Sequence, residues 1–283
     1  MSDLHYMSIA DAGRLIRDGD LSPVDFVEAL LTRISQIDPK LDAFLAVAGE
    51  QARADAQEAQ EEIANGNYRG PMHGIPYGLK DIIDYAGLKT TAHSKLLAEN
   101  IADTDATVTA KLKAAGGVFM GKLATHEFAI GGPSFDLPWP PARNPWNTDR
   151  HPGGSSSGSG AAVAAGLLPG ALGSDTGGSV RHPASICSLA GIKPTYGRVS
   201  RAGVVPLSFS LDNVGPLTRT VEDNAIMLSA ISGHDPRDPA SARAEAVDFH
   251  RVLGVGQAGN AHRPAEVEVL DGEEEPLGGV DEH

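Results

Sequence analysis

The chain has 283 residues, a formal net charge of −14 and 41% hydrophobic residues, which indicates one large domain or two small ones with a sizeable core. This acidic balance argues against direct nucleic-acid binding, and the single cysteine, Cys187, excludes an internal disulfide. The N-terminus lacks the pattern of a secretion signal, and no apolar run approaches the length of a membrane span. The sequence therefore predicts a soluble cytoplasmic protein that makes no membrane contact.

The first 64 residues are predicted to form a helical layer. Ser8 caps a helix over residues 8–19. Ser22 caps a second helix, in which six apolar side chains form one stripe: Phe26, Val27, Leu30, Leu31, Ile34 and Ile37. Residues 50–64 are rich in Ala, Gln and Glu, which is typical of a solvated helix.

Residues 71–83 predict a turn followed by a strand, and Lys80 lies inside this apolar run. Burial of an ammonium group without a partner is costly. Two interpretations are therefore open. Lys80 pairs with Asp81 or Asp84 as a structural lysine, or desolvation lowers its pKa and it serves as a base.

A helix and a strand alternate in the next segment. Residues 104–115 predict a helix capped by Thr104, and Val118–Gly121 predicts a strand, which together favour α/β architecture with a mixed sheet. Residues 131–152 contain many prolines together with Trp139 and Trp146. This composition predicts a long irregular loop that lines a pocket or covers the core.

We expect the other elements to be organised around residues 153–182. Two Gly/Ser-rich loops, Gly153–Gly160 and Ser174–Ser179, flank the apolar segment Ala161–Leu168 and a short predicted strand, Ala171–Gly173. Backbone N–H groups in such loops converge on an anion or a developing oxyanion, and serine hydroxyls among them are candidate nucleophiles or proton relays.

Two familiar motifs match this stretch, but the residues around them do not fit the corresponding sites. Gly154–Gly158 has the G-x-S-x-G pattern of a nucleophile elbow centred on Ser156, but the preceding residues are polar and broken by proline. Gly153–Gly158 has the spacing of a phosphate-binding loop, but Ser159–Gly160 stands where Lys-Ser/Thr is required.

Other candidate groups are weaker. Cys187 lies in an apolar stretch and is predicted to be an inert core thiol. His182 follows Ser179 by three residues, so a Ser–His pair on one helix is a competing arrangement without a third group to orient the imidazole. The sequence has no H-E-x-x-H motif and no cysteine pair, so we expect no metal site.

The C-terminal part contains one clear helix and one unpatterned segment. Residues 183–193 are predicted to be buried, 197–216 to form loops and short strands, and Thr220 to cap a helix ending near Ser232. From Gly254 the helical and strand periods disappear, and residues 264–283 carry eight acidic side chains. We therefore expect a domain over residues 1–253 and an acidic, disordered tail over 254–283.

Several separated motifs resemble the amidase signature family in their order along the chain: GIPYGLKDIIDYAGLKTTAHS, ARNPWN, HPGGSSSGSG, GSDTGGSVRHPAS and GRVSRAGVVPLSFSLDNVGPLTRT. The resemblance runs from the first helices to about residue 240. It implies an α/β fold whose mixed sheet is covered by helices on both faces. The family's usual C-terminal portion does not follow, which gives the expectation of a truncated chain. The first loop reads GSSSGSG where many members read GSSGGSA.

The resemblance also implies a Ser–Ser–Lys triad. Lys80 would be the base, Ser155 the bridging serine that follows a cis peptide bond, and Ser179 the nucleophile. The oxyanion hole would consist of four backbone N–H groups: Thr176, Gly177, Gly178 and Ser179. No cofactor is implied.

Three functions are compatible with this resemblance. The leading one is an amidase that hydrolyses a small-molecule carboxylic amide to an acid and ammonia or an amine through an acyl-enzyme, alone or as a homodimer. The second is the glutaminase subunit of the tRNA-dependent amidotransferase, which works with partner subunits. Residues 122–147 do not resemble the usual stretch of that glutaminase, which favours the amidase. The third is a truncated, inactive fragment.

Overall fold

The computed structural model describes residues 4–253. Its α-helices and β-strands follow one another in chain order: α1 Ile9–Asp18, α2 Pro23–Ile37, β1 Phe44–Val47, α3 Gly49–Ala64, β2 Pro76–Lys80, α4 Thr107–Ala114, β3 Val118–Leu123, α5 Ser157–Ala164, β4 Gly170–Asp175, α6 Arg181–Ile186, β5 Ala190–Gly191, β6 Asn213–Thr218 and α7 Val221–Ile231. The predicted tail over 254–283 lies outside the described residues.

The described strands form one six-stranded sheet in the order β1-β3-β2-β4-β6-β5. Strand β2 runs parallel to β3 and β4, whereas the β1–β3, β4–β6 and β5–β6 pairs are antiparallel. Every residue of β2, β3 and β4 is buried, as expected for central strands covered by helices. The predicted α/β architecture with a mixed sheet is confirmed.

Three of the predicted helix caps are confirmed. The side chains of Ser8, Ser22 and Thr220 each accept a hydrogen bond from the backbone N–H three residues further on, at the start of α1, α2 and α7. Such bonds satisfy N–H groups that have no partner within the helix. Local sequence was sufficient to locate these three helix starts.

The predicted start of α4 at Thr104 is wrong. The helix begins at Thr107 after Ala106, which makes no side-chain cap. The backbone N–H of Ala106 donates to Asp84 O, and that of Thr107 donates to Ala202 O. Distant backbone carbonyls therefore satisfy the first N–H groups of α4, and no local capping residue is needed.

Helix α5 begins at Ser157, inside the segment predicted to be a loop. Its small residues let it lie close to its neighbours, because a Cβ on Gly158 would lie 2.3 Å from Ala43 O. Strand β4 is also longer than predicted, extending from Gly170 to Asp175. Both changes bring polar residues of the Gly/Ser-rich stretch into regular structure.

One hydrophobic cluster joins the helices to the sheet, with fully buried Phe26, Tyr77 and Phe119 among its largest members. Within residues 4–253, no helix combines the length and apolar character that a membrane crossing requires. The core surrounds the central strands and holds the C-terminal end of β2 in a fixed position.

Candidate active site

Lys80 is the last residue of β2, and its side chain is fully buried. Its Nζ atom lies 2.7 Å from Ser155 Oγ and 2.9 Å from Ser174 Oγ, within hydrogen-bonding distance of both. Asp81 forms an ion pair with Lys122 instead, with 3.0 Å between Asp81 Oδ1 and Lys122 Nζ. Within the described residues, Lys80 forms no ion pair with Asp81 or Asp84, so it is not the structural lysine of the first interpretation.

The environment of Lys80 favours its neutral form. Burial lowers the Lys80 pKa to about 7, because desolvation penalises the ammonium more than the negative charges of Asp175 and Asp212 stabilise it. A lysine with this pKa is partly neutral near pH 7. It can then accept a proton from a hydroxyl group in hydrogen-bond contact.

The first Gly/Ser-rich loop presents Ser155 to Lys80. The peptide bond between Gly154 and Ser155 is cis, and Ser155 O accepts a hydrogen bond of 3.0 Å from the backbone N–H of His126. Gly153 has a φ of +82°, and a Cβ on Gly154 would lie 2.1 Å from His126 Cε1. The glycine pair is thus required by backbone conformation at one position and by close packing at the other.

The second loop places Ser179 beside the first. Ser179 O accepts a hydrogen bond of 3.2 Å from the backbone N–H of Ser156, the residue that follows Ser155. Ser179 is partly exposed, whereas Ser155 is buried. The structure therefore brings together Lys80, Ser155 and the loop that carries Ser179.

Asp175 determines the shape of the second loop. Its carboxylate accepts hydrogen bonds from the backbone N–H groups of Gly178, Val180 and Arg181, and the Arg181 guanidinium donates to both carboxylate oxygens at 3.0 Å. Burial alone raises the Asp175 pKa, but these hydrogen bonds outweigh it and hold the pKa below its ordinary value. An ionised Asp175 keeps the loop ordered.

The four expected oxyanion-hole donors are not equivalent. The N–H of Gly178 donates to Asp175 Oδ1 at 2.7 Å, so it is already occupied. Within the described residues, the N–H groups of Thr176, Gly177 and Ser179 have no acceptor. Three of the four expected donors are therefore available to an oxyanion.

His182 occupies a different place from the one that a Ser–His pair requires. Its Nδ1 atom lies 3.3 Å from Gly154 N and 3.2 Å from Gly154 O, and its side chain is exposed. The imidazole therefore contacts the backbone of the first loop instead of the Ser179 hydroxyl.

Cys187 is buried, with Sγ 3.3 Å from Pro152 O, and burial raises the pKa of its thiol to about 12. This agrees with the expectation of an inert thiol. Over residues 4–253, no group of three or more His, Cys, Asp or Glu side chains is arranged to hold a metal ion.

Sequence reasoning missed Ser174, Asp175 and Ser156 as site residues. Ser174 was predicted to begin a loop, but it lies in β4 and contacts Lys80. Ser156 Oγ accepts from the Ser174 N–H at 3.2 Å and donates to Ser174 O at 3.3 Å, which ties the start of α5 to β4. Side-chain alternation along a longer β4 was the signal that could have placed Ser174 and Asp175 on opposite faces.

The Amidase family model matches residues 25–258. Over 253 residues the chain is 48% identical to the A subunit of the glutamyl-tRNA(Gln) amidotransferase from Roseiflexus castenholzii, and the match covers 89% of this chain and 51% of that protein. The corresponding protein of Carboxydothermus hydrogenoformans is 47% identical over 89% of this chain and 52% of its own length. The chain spans about half the length of the curated relatives it matches.

Solved structures with a similar fold are also related in sequence. One is a chain from the vestigial protein complex that reveals the evolutionary origins of an s-triazine catabolic enzyme. It has a TM-score of 0.85 and 41% identity, over 89% of this chain and 56% of that one. The native peptide amidase from Stenotrophomonas maltophilia has a TM-score of 0.82 and 37% identity, over 87% of this chain and 53% of the other.

Proposed function

The chain belongs to the amidase family, and from this premise we propose that it hydrolyses a carboxylic amide to an acid and ammonia or an amine through an acyl-enzyme on Ser179. We propose further that residues 1–253 act as one amidase domain. The observation that carries the proposal is the buried contact of Lys80 with Ser155, next to the loop of Ser179.

In the proposed mechanism, protons move along the two serines to the lysine. Neutral Lys80 accepts a proton from Ser155, and Ser155 accepts one from Ser179. The Ser179 oxygen forms a bond to the carbonyl carbon of the amide, whose oxygen becomes negatively charged. The proton on Lys80 returns through Ser155 to the amide nitrogen, the C–N bond breaks, and water then hydrolyses the Ser179 ester by the same relay.

The negative charge of the tetrahedral intermediate requires preformed donors. The N–H groups of Thr176, Gly177 and Ser179 are suited to this role, because no protein acceptor within residues 4–253 competes for them. The N–H of Gly178 has a supporting role through its bond to Asp175. Donors fixed in this way need no reorganisation when charge develops.

A second candidate function is the glutaminase subunit of a tRNA-dependent amidotransferase. It is favoured by the 48% identity to the amidotransferase protein of Roseiflexus castenholzii. In this case the amide is glutamine, and the ammonia passes to a partner subunit. The triad chemistry is the same in both candidates, so the substrate and the partner distinguish them.

Labelling by an alkyl fluorophosphonate, read by intact-mass spectrometry, tests the nucleophile. We expect the parent protein to gain one adduct and Ser179→Ala to gain none, with amide hydrolysis by the variant reduced to background. Ser185→Ala is the matched control, because Ser185 is exposed on α6 and its hydroxyl donates to His182 O. Equal labelling of Ser179→Ala and the parent, with unchanged circular dichroism, would show that another residue is the nucleophile.

A further inference from the structure

We propose that the substrate amide carries an apolar acyl group, which binds in a cavity beside Ser174, and that glutamine is a poor substrate. This inference rests on the proposed function and adds the class of amide that the site accepts. It is carried by the position of the cavity, by its apolar wall and by the acidic partners that both arginines on that wall already have.

The cavity, of about 270 Å³, lies beside the end of β4. Ser174 lines it, and Ser174 Oγ lies 2.9 Å from Lys80 Nζ. Asp212, also on the wall, accepts a hydrogen bond from the side chain of Thr176, three residues before Ser179. An acyl group in this cavity would therefore lie next to Ser174, which contacts Lys80, and next to Asp212, which contacts Thr176.

The wall of the cavity is mostly apolar. Six aliphatic or aromatic side chains contribute to it: Ile82, Val204, Val205, Leu207, Phe209 and Val214. Each methylene group that a ligand buries in such surroundings improves its affinity about fourfold. A pocket of this kind discriminates in favour of alkyl and aryl groups over polar groups of the same length.

Arg201 and Asp238 on the wall are paired with each other, whereas Asp212 is held by neutral donors. Arg201 contacts both carboxylate oxygens of Asp238 at 3.2 Å and donates to Phe209 O at 2.6 Å. The Asp212 carboxylate accepts from the backbone N–H groups of Leu207 at 2.8 Å and Ser208 at 2.9 Å.

Arg237 is the remaining cation on the wall. Its Nε atom lies 3.8 Å from Asp235 Oδ1, and its guanidinium donates to the hydroxyl of Thr107. Glutamine brings an α-carboxylate and an α-ammonium group, and each needs an unpaired opposite charge when water is removed. Within residues 4–253, both arginines on the cavity wall have an acidic partner, so the wall offers the α-carboxylate no unpaired cation.

The test compares kcat/KM for acetamide, butyramide, hexanamide, phenylacetamide and L-glutamine. We expect kcat/KM to rise along the alkyl series by about fourfold per methylene until the cavity is filled. We expect phenylacetamide to exceed glutamine by at least about 100-fold, the effect of more than three buried methylenes. A preference for glutamine over hexanamide would overturn the inference.

A cavity-filling variant tests whether the acyl group binds in this cavity. Val204→Phe narrows the cavity and should lower the ratio of kcat/KM for hexanamide to that for acetamide about tenfold. Val221→Phe is the matched control, because Val221 is 65% exposed at the start of α7 and does not line the cavity. An unchanged ratio in a folded Val204→Phe protein would show that the acyl group binds elsewhere.

Labelling rates give an independent measurement if turnover is too slow. Fluorophosphonates with methyl and hexyl chains place the chain where the acyl group would lie. Faster labelling of Ser179 by the hexyl compound supports the inference, and equal rates contradict it while leaving the proposed function intact. If Ser179 reacts with neither compound, the proposed function fails, and the inference fails with it.

Discussion

Two buried lysines show how partners decide what a side chain does. Lys122 Nζ forms an ion pair with Asp81 and donates to Ile83 O and Thr90 Oγ1, and these contacts partly offset the desolvation that lowers its pKa. Within the described residues, Lys80 Nζ bonds to the hydroxyl groups of Ser155 and Ser174 and forms no ion pair. The first arrangement supplies a carboxylate that favours the ammonium, whereas the second supplies only hydroxyl groups and leaves a neutral amine that can act as a base.

Ser174 is predicted to position Lys80 for proton transfer. Because a neutral Lys80 is required, the rate of the parent should rise with pH through about 7. The Ser174 hydroxyl stabilises the Lys80 ammonium, so Ser174→Ala should lower the Lys80 pKa and move the rising limb of the pH–rate profile to lower pH. It should also lower the plateau of kcat/KM about tenfold, the equivalent of one hydrogen bond of about 1.4 kcal/mol.

Ser174→Thr keeps the hydroxyl group and should restore both the limb and most of the plateau. A purely structural Ser174 would give Ser174→Ala a lower plateau with an unchanged pH profile, and the positioning role would then be rejected.

At the scale of elements, the site depends on the close approach of α5 to β4. Ser156 Oγ bonds to the Ser174 backbone, and Ser159 Oγ donates to Leu172 O at 3.0 Å. Larger side chains would separate the helix from the strand and move Ser155 away from Lys80. The abundance of glycine and serine in this stretch thus reflects tight packing and not the flexibility of a linker.

Gly154→Ala is predicted to destabilise the first loop by about 1–3 kcal/mol, as overpacking does elsewhere. The added Cβ would meet the His126 ring at 2.1 Å and force the imidazole away from Gly131 O, which its Nδ1 now contacts at 3.1 Å. Urea unfolding and amide hydrolysis should both show the loss.

His126→Ala in the same chain makes room for the new Cβ, and the double variant should be less impaired than the sum of the two single variants. Gly132→Ala is the control, because its Cβ would meet no atom within 4 Å. Strict additivity of Gly154→Ala and His126→Ala would show that this contact is not the cause.

At the scale of the whole molecule, burial of Lys80 makes stability depend on pH. Its pKa is about 7 in the folded chain, whereas the ordinary value is 10.5. Between these values the unfolded chain binds the extra proton, so the free energy of unfolding rises with pH, by up to about 1.4 kcal/mol per pH unit. The free-energy cost of burying Lys80 is therefore fully present below pH 7 and absent above pH 10.5.

Lys80→Met should lack this rise. We will measure the free energy of unfolding in urea at about pH 7, 8.5 and 10. We expect that of the parent to rise by a few kcal/mol relative to that of Lys80→Met over this range. Lys40→Met, at an exposed position, is the control. Parallel curves for the parent and Lys80→Met would mean that Lys80 is charged in the folded protein.

The sequence by itself determined the features that are encoded locally. The caps at Ser8, Ser22 and Thr220, and the apolar stripe of α2, follow from residues within a few positions of one another. The α/β class followed from alternating patterns, and Lys80 was singled out because it interrupts an apolar run. The assignment of Lys80, Ser155 and Ser179 to a triad came from the family resemblance and stays a prediction.

Only the tertiary structure decided which groups meet. Lys80 meets Ser174 across 94 positions of sequence through the parallel register of β2 with β4, and it meets Ser155 across 75 positions where the first loop packs against the end of β2. The start of α4 likewise depends on the backbone carbonyls of Asp84 and Ala202, which no short pattern specifies. Local sequence sets dihedral preferences and periodicity, whereas strand register and helix–sheet packing fix distances between remote side chains, and the chemistry of this site depends on those distances.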